Sequence, residues 1–361
     1  MLIAALISRS VSPVQWDSRL PFGVHAASSV RRFSRWLHNS GLDPHELYGK
    51  LFRYALRNWT QHPIVLALDT SMLKDRFCAV RISMIYLGRA IPVAWRIFEH
   101  DSSAVKYEDY REVLERAHSL MPREVPVIFL ADRGFVHKAL MRKLNRLEWE
   151  WRIRIKANQV LRCGSRRMTP QTLFLQKGNA LLFDRNVHFG RELENLSLSA
   201  GWPQKNEEPW YVLSNGVVGA EVFADYALRF DIEEEFRDEK SGGFGLEETR
   251  LTDSGAIERL LLVVAAASIV AVNEGLCVMA QDRRRDVDTH WQRGLSYFQI
   301  GWRWVTKQLS RAVQEWLGDF ELWAINDPLP VAPTRNESMK RRRQKDPRRL
   351  FTDIRYMETL L

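Results

Sequence analysis

The chain has 361 residues, with 53 Lys and Arg against 44 Asp and Glu, a formal net charge of +9, 45% hydrophobic residues and three cysteines. That composition excludes a disordered tail and a small stapled scaffold, and the length suggests about two domains, each able to bury a core. Cys78, Cys163 and Cys277 are too widely spaced for a disulfide framework or a Cys-x-x-Cys zinc site, which fits a reducing cytosol. Nine scattered His argue against a zinc or Ser-His-Asp centre.

The start, Met1 to Ile7, lacks the cationic lead and cleavage site of a signal peptide and reads as a helix cut short by Arg9. Val30, Phe33 and Leu37 recur at helical spacing beside Arg31, Arg32 and Arg35, and the pattern stops at Asn39-Ser40-Gly41. Asp43-Pro44 opens another helix, with Leu47, Leu51 and Tyr54 expected as its apolar stripe. Residues 1–60 are therefore expected to be a helical unit.

At Pro63 the pattern changes. Ile64-Val65-Leu66-Ala67-Leu68, ending in Asp69-Thr70, reads as a strand buried on both faces. Two β-rich runs follow, 77–87 and 91–98, and their short link favours antiparallel neighbours. A helix over 105–120 leads to a second buried strand, Val127 to Ala131, again ending in Asp, Asp132. After a helix over 136–147, Trp149, Trp151, Ile153 and Ile155 alternate with Glu150, Arg152, Arg154 and Lys156, giving one apolar and one largely basic face. Residues 162–207 read as a β-rich insertion. The strand at Trp210-Tyr211-Val212-Leu213 returns to the core, and helices are expected over 222–240, 257–280 and 291–317. The apolar run Leu260 to Val272 is too short for a membrane span and reads as a buried core helix. Between Lys340 and Arg349 stand seven Lys or Arg and one Asp, and the recurring basic clusters suggest a polyanion partner.

Asp69 and Asp132 would lie side by side if their strands are neighbours, an arrangement that is expensive without a cation, and oxygen-only ligation favours Mg²⁺ or Mn²⁺. Asp at a strand end is also an ordinary turn residue. A third element adds weight. Tyr226, Arg229, Glu233 and Lys240 fall on one narrow helical stripe with Arg237 beside them, while Leu228, Ile232 and Phe236 form a separate apolar stripe. A surface helix tied by pairs such as Glu233 with Arg237 would explain the charges but not their alignment with a tyrosine.

The spacing Tyr-x2-Arg-x3-Glu-x6-Lys in YALRFDIEEEFRDEKSGGF, with Asp69 in LALDTSM and Asp132 in FLADRGF followed by Arg133, resembles the signature of a group of bacterial insertion-sequence DDE transposases. The resemblance spans about residues 60–285. It implies an α/β fold, an RNase H-like catalytic core with a mixed sheet flanked by helices, in two parts (61–161 and 208–285) around the β-rich insertion at 162–207. An N-terminal helical DNA-binding region (1–60) and a C-terminal helical region with a basic tail (286–361) would complete the chain.

By the same resemblance Asp69, Asp132 and Glu233 would be catalytic and hold two Mg²⁺ ions, with Mn²⁺ able to substitute. Tyr226, Arg229, Arg237, Lys240, Arg133, Arg152, Arg154 and Lys156 would contact DNA. The implied reaction is cleavage and strand transfer at element ends through a hairpin intermediate, with Trp202 and Trp210 as base-stacking candidates. The implied partners are double-stranded DNA, as transposon ends and target, and a second copy in a homodimeric synaptic complex, in the bacterial cytoplasm and not at a membrane. Two readings of other kinds are a catalytically inactive transposase-derived DNA-binding regulator and an RNase H-like nuclease without strand transfer.

Overall fold

The structure, a computed structural model, describes residues 1–8, 10–17, 26–237, 244–290, 294–310, 317–325 and 346–357. Four helices come first: α1 (Leu2–Ser8), α2 (Pro13–Asp17), α3 (Ala26–Leu37) and α4 (Pro44–Ala55). The Asp43 carboxylate caps α4 by accepting from the backbone N–H groups of His45 and Glu46, and Pro44 occupies the first turn, where no amide donor is needed. The buried face of α4 is Tyr48, Phe52 and Ala55, not the expected stripe. Leu47, Leu51 and Tyr54 are at least 40% exposed, because the aromatic side of the helix docks on the sheet: the Tyr48 hydroxyl donates to the Pro92 carbonyl and its ring meets Trp95 at 5.1 Å.

The apolar run at Ile64 becomes β1 (Ile64–Leu73), followed by the antiparallel β2 (Phe77–Tyr86) and β3 (Arg89–Glu99). Helix α5 (Tyr107–Leu120) crosses to β4 (Val127–Ala131), which pairs parallel with β1, and α6 (Lys138–Arg146) crosses to β5 (Glu150–Arg154), parallel with β4. Residues 161–201 supply β6 (Leu161–Cys163), β7 (Arg166–Met168), β8 (Asn179–Phe189) and β9 (Leu193–Gly201), and the chain returns through β10 (Trp210–Ser214). All join one mixed sheet in the order β3-β2-β1-β4-β5-β10-β9-β8-β6-β7.

Alternation along the strands gives this sheet two unlike faces. Leu66, Leu68, Phe129, Ala131, Trp151 and Ile153 join the main apolar core together with side chains of α5 and α6. The opposite face of the same strands carries Ala67, Asp69, Arg81, Leu130, Asp132, Arg152 and Arg154, and is covered by α7 (Ala220–Leu228) and α8 (Phe230–Arg237). The continuous helix expected over 222–240 is thus two. Its break is at Arg229, where i→i+3 bonds from Arg229 N–H to Tyr226 and from Ile232 N–H to Arg229 interrupt the α-helical pattern.

Helix α9 (Ser254–Ala280) is long and apolar enough to cross a membrane by length and composition, yet 94% of its most apolar window is buried in the protein. Its Glu258 carboxylate accepts the backbone N–H of Ile97 on β3, capping the edge of the sheet. The short α10 (Arg284–Val287) leads to α11 (Tyr297–Ser310), which crosses α9 where two glycines meet. A Cβ at Gly275 would stand 1.9 Å from the Tyr297 carbonyl oxygen, and one at Gly301 1.8 Å from that of Ala271.

The C-terminal part is not wholly helical: β11 (Asp353–Met357) pairs parallel with β8, because Phe351 is drawn against Phe223 of α7 at 4.8 Å. Lys240 and the basic residues 340–345 lie outside the described residues. Because backbone, not a movable side chain, blocks Gly275 and Gly301, either glycine replaced by alanine is expected to destabilise the protein at the upper end of the roughly 1–3 kcal/mol typical of overpacking. Urea unfolding measures it, and unchanged midpoints would show that the two helices can separate freely.

Candidate active site

Asp69 and Asp132 are brought together by strand register. Leu68 pairs with Ala131 in the parallel ladder between β1 and β4; β4 ends there, while β1 continues beside β2. The next residues, Asp69 and Asp132, stand at this fork on the face covered by α7 and α8. Burial pushes the Asp69 carboxyl up to about 6, against the opposing pull of the Arg229 guanidinium and the Thr70 N–H, which donates to its Oδ1.

The junction of α7 and α8 faces this fork. The Tyr226 hydroxyl donates to Asp132 Oδ1 at 3.1 Å, and burial pushes its own ionisation up. Arg229 divides its guanidinium, Nη1 reaching Asp69 Oδ2 at 2.9 Å and Nη2 reaching Glu233 Oε1 at 2.7 Å. Burial alone would favour a neutral guanidine, but the anionic neighbours outweigh it and raise the affinity of Arg229 for its proton. Arg229 is 5% exposed, whereas Glu233 is 50% exposed, so one arm of the bridge is dry and the other meets water.

The other residues singled out in the sequence are placed differently. Arg152 and Arg154 do not form an open basic face: both are buried, Arg152 paired with Asp225 of α7 at 2.9 Å and with Glu150 at 3.1 Å, and Arg154 with Glu208 at 2.5 Å. Glu208 also meets Arg133 at 3.5 Å, and its carboxyl is held below the usual range, chiefly by the Arg154 hydrogen bond. Lys156 is exposed. Trp210 packs against Tyr226 and Phe230 at 5.2 and 5.8 Å, a wall of the site. Trp202 donates its indole N–H to the Asn206 carbonyl, with Lys177 over its ring at 5.9 Å. Arg237 closes α8, but its side chain is outside the description.

A family model described as a transposase DDE domain matches residues 75–270, more than half of the chain. The chain belongs to the DDE transposase family. Asp132 and Glu233 lie within the matched span of this family and Asp69 just ahead of it. Members of this family are nucleic-acid phosphoryl-transfer enzymes that use divalent metal ions. Among solved structures, the chain is similar to the piggyBac transposase in its synaptic complex with hairpin DNA, at 11% identity and a TM-score of 0.38, covering 89% of this chain and 64% of that one. The chain thus spans just under two thirds of that relative's length. No curated protein matches in sequence.

The donors fit a hard divalent ion in kind: carboxylate oxygens, two of them adjacent, one under-compensated by its surroundings. In placement the fit belongs to Asp69 and Asp132. Among the described residues no three acidic, His or Cys side chains already form a ligating group, because Arg229 stands between Asp69 and Glu233.

Sequence reading passed over Glu208, Asp225, the buried pair of Arg81 with Glu235, and Phe174. Arg81 had a signal, a lone cation within an apolar strand. Phe174 had little; it is 86% exposed with φ +43°, between Leu173 and Leu175, which pack on the core. Double-mutant cycles in urea are expected to give a coupling of about 2 kcal/mol or more between Arg229 and Asp69, whose charges are removed from water, and below about 1 kcal/mol between Arg229 and Glu233. Equal couplings would mean that exposure does not govern the bridge.

Proposed function

We propose that the protein is a bacterial insertion-sequence transposase that cleaves DNA at element ends and joins the freed ends to a target. The observation that carries this reading is the placement of Asp69 and Asp132 on adjacent parallel strands with Tyr226, Arg229 and Glu233 facing them from one helical junction. The strand order β3-β2-β1-β4-β5, with only β2 running against the others, supports an RNase H-like core interrupted by an insertion over 162–207 and flanked by regions 1–60 and 286–361.

In this reading Asp69, Asp132 and Glu233 would hold divalent ions, Mg²⁺ with Mn²⁺ able to substitute, which when bound would supply Lewis acidity for in-line phosphoryl transfer. Tyr226 holds the Asp132 carboxylate in one orientation. Arg229 neutralises Asp69 and Glu233 and would meet a phosphate beside them, and Lys240, outside the described residues, would add a second cation for the DNA backbone. Arg133 and Lys156, both exposed, extend the contact along the backbone, as do Arg31, Arg32 and Arg35 on the exposed side of α3 and the basic segment at 340–349. Arg152 and Arg154 act from behind, by fastening α7 and the Glu208 loop. Two copies would hold paired ends in the bacterial cytoplasm.

Cutting both strands with one set of carboxylates suits a hairpin route, in which the 3′-OH freed by the first cut attacks the opposite strand and forces a base out of the stack. Trp210 is committed to the wall of the site. Phe174 and Trp202 remain as platforms. The 3-10 turn Pro170–Leu173 before Phe174 is tied by Gln171 N–H to the Ala157 carbonyl, just past the end of β5 that lies level with Asp132. A left-handed phenylalanine costs about 1–3 kcal/mol, and holding it exposed suits a binding role.

Asp69→Asn, Asp132→Asn and Glu233→Gln are each expected to abolish Mg²⁺-dependent cleavage of end DNA while leaving salt-dependent end binding largely intact; a variant cutting near the wild-type rate would remove that residue from the site. Denaturing gels of end-labelled DNA are expected to show a snap-back hairpin species. Phe174→Ala or Trp202→Ala should diminish it by an amount equivalent to about 1–3 kcal/mol of lost stacking. Double-strand breaks without that species would rule out the route.

A further inference from the structure

The strand β2 buries a charge. Between Phe77 and Tyr86 its side chains are otherwise mostly apolar, yet Arg81 is 1% exposed and is among the largest fully buried side chains. Its Nη1 donates to Glu235 Oε1 of α8 at 2.8 Å, its guanidinium lies over the Phe236 ring at 4.8 Å, and Glu235 is itself 4% exposed. In the antiparallel register Arg81 is directly opposite Asp69, so both side chains are on the face that α8 covers. Asp69 is reached by Arg229 and Glu235 by Arg81, two adjacent bridges between the sheet and one short stretch of chain.

Helix geometry says what the second bridge controls. At about 100° per residue, Glu233 and Glu235 project about 200° apart on α8, with Ile232 on the arc between them and toward the sheet. Ile232 and Phe236 rest on Ala67, Ala90 and Leu130, and such apolar contacts, two of them with alanine, are non-directional and tolerate rolling of the helix. A roll of about 30° at a side-chain radius of about 5–6 Å would displace the Glu233 carboxylate by about 3 Å relative to the fork, the length of a hydrogen bond. The Arg81 fork and the Glu235 carboxylate resist that roll, because charge-assisted hydrogen bonds have a preferred direction.

We propose that the buried Arg81–Glu235 ion pair is the positioning element that fixes the rotation of α8 and so aims Glu233 at the Asp69 and Asp132 carboxylates. Both residues are buried, at 1% and 4% exposure, so the pair acts through α8. The inference rests on Glu233 completing the metal site, and its distinguishing property is that direction, not stability, is what the pair provides. A buried ion pair replaced by apolar groups of similar volume is often neutral or stabilising, whereas one partner left alone strands a buried charge.

The test is the double variant Arg81→Met with Glu235→Leu in the full chain, compared with wild type by urea unfolding, by calorimetric titration with Mn²⁺ in the absence of DNA, and by cleavage kinetics. The expected result is an unfolding midpoint equal to or above wild type, Mn²⁺ affinity lower by about 10- to 100-fold, and a kcat reduced with KM for end DNA unchanged. A stable double variant that binds Mn²⁺ as wild type does would overturn the positioning role. A marked loss of stability would overturn it also, by showing that the pair holds the fold together. If wild type itself binds no Mn²⁺, the metal-site reading falls and the inference with it, an outcome told apart from the others because it appears before any substitution is made.

Discussion

Carboxylates gathered at one end of a sheet repel one another, and burial makes Asp69 resist ionisation as well. The fork between β1 and β4 imposes that condition on Asp69 and Asp132, since parallel register leaves both side chains on the same face. Arg229 is the protein's answer. A guanidinium can face two carboxylates at once through separate nitrogens and stays charged where a lysine would lose its proton. The break between α7 and α8 follows from that demand: i→i+3 bonds at Arg229 turn the chain so that Tyr226 faces Asp132 while Arg229 faces Asp69.

The same logic extends across the face. Arg81 meets Glu235, Arg152 meets Asp225, Arg154 meets Glu208 and Arg229 meets Asp69, each arginine buried and each partner on a different element. The opposite face of the same strands packs with α5 and α6 through ordinary apolar contacts. One side of the sheet is therefore held by contacts that fill space, and the other by contacts that fix direction. Carboxylates that must be held at fixed separations suit the second kind of face, where an error of an ångström in a helix position is felt.

Much of this was legible in the chain. Two apolar runs ending in Asp read as buried strands because nothing polar interrupts them before Asp69 and Asp132, and the alignment of Tyr226, Arg229 and Glu233 survives the helix break because one turn of 3-10 helix shifts the phase only modestly. What was not legible depended on tertiary partners. Periodicity identifies an apolar face on α4 but cannot say which of two such faces the sheet will take, and the aromatic pair Tyr48 and Phe52 won over Leu47 and Leu51. Alternation at Arg152 and Arg154 signals a basic face, and whether that face meets water or carboxylates is decided by Asp225 and Glu208, more than 50 residues away.

The strands over 161–201 show how the far part of a long sheet stays linked to a site near its other end. Strands β8 and β9 continue the ladder away from the carboxylates, so by themselves they would carry the chain far from Asp69 and Asp132. Two returns bring it back. Pro209 and Trp210 lead the chain into β10, where Trp210 lines the wall beside Tyr226, and the turn before Phe174 is tied to Ala157, just past the end of β5. Phe351, wedged against Phe223 of α7, draws β11 onto β8 and links the C-terminal segment to the helix that carries Tyr226. Strands β8 and β9, the C-terminal strand and the carboxylate fork are thus coupled through α7, and a displacement of α7 would be felt in all three.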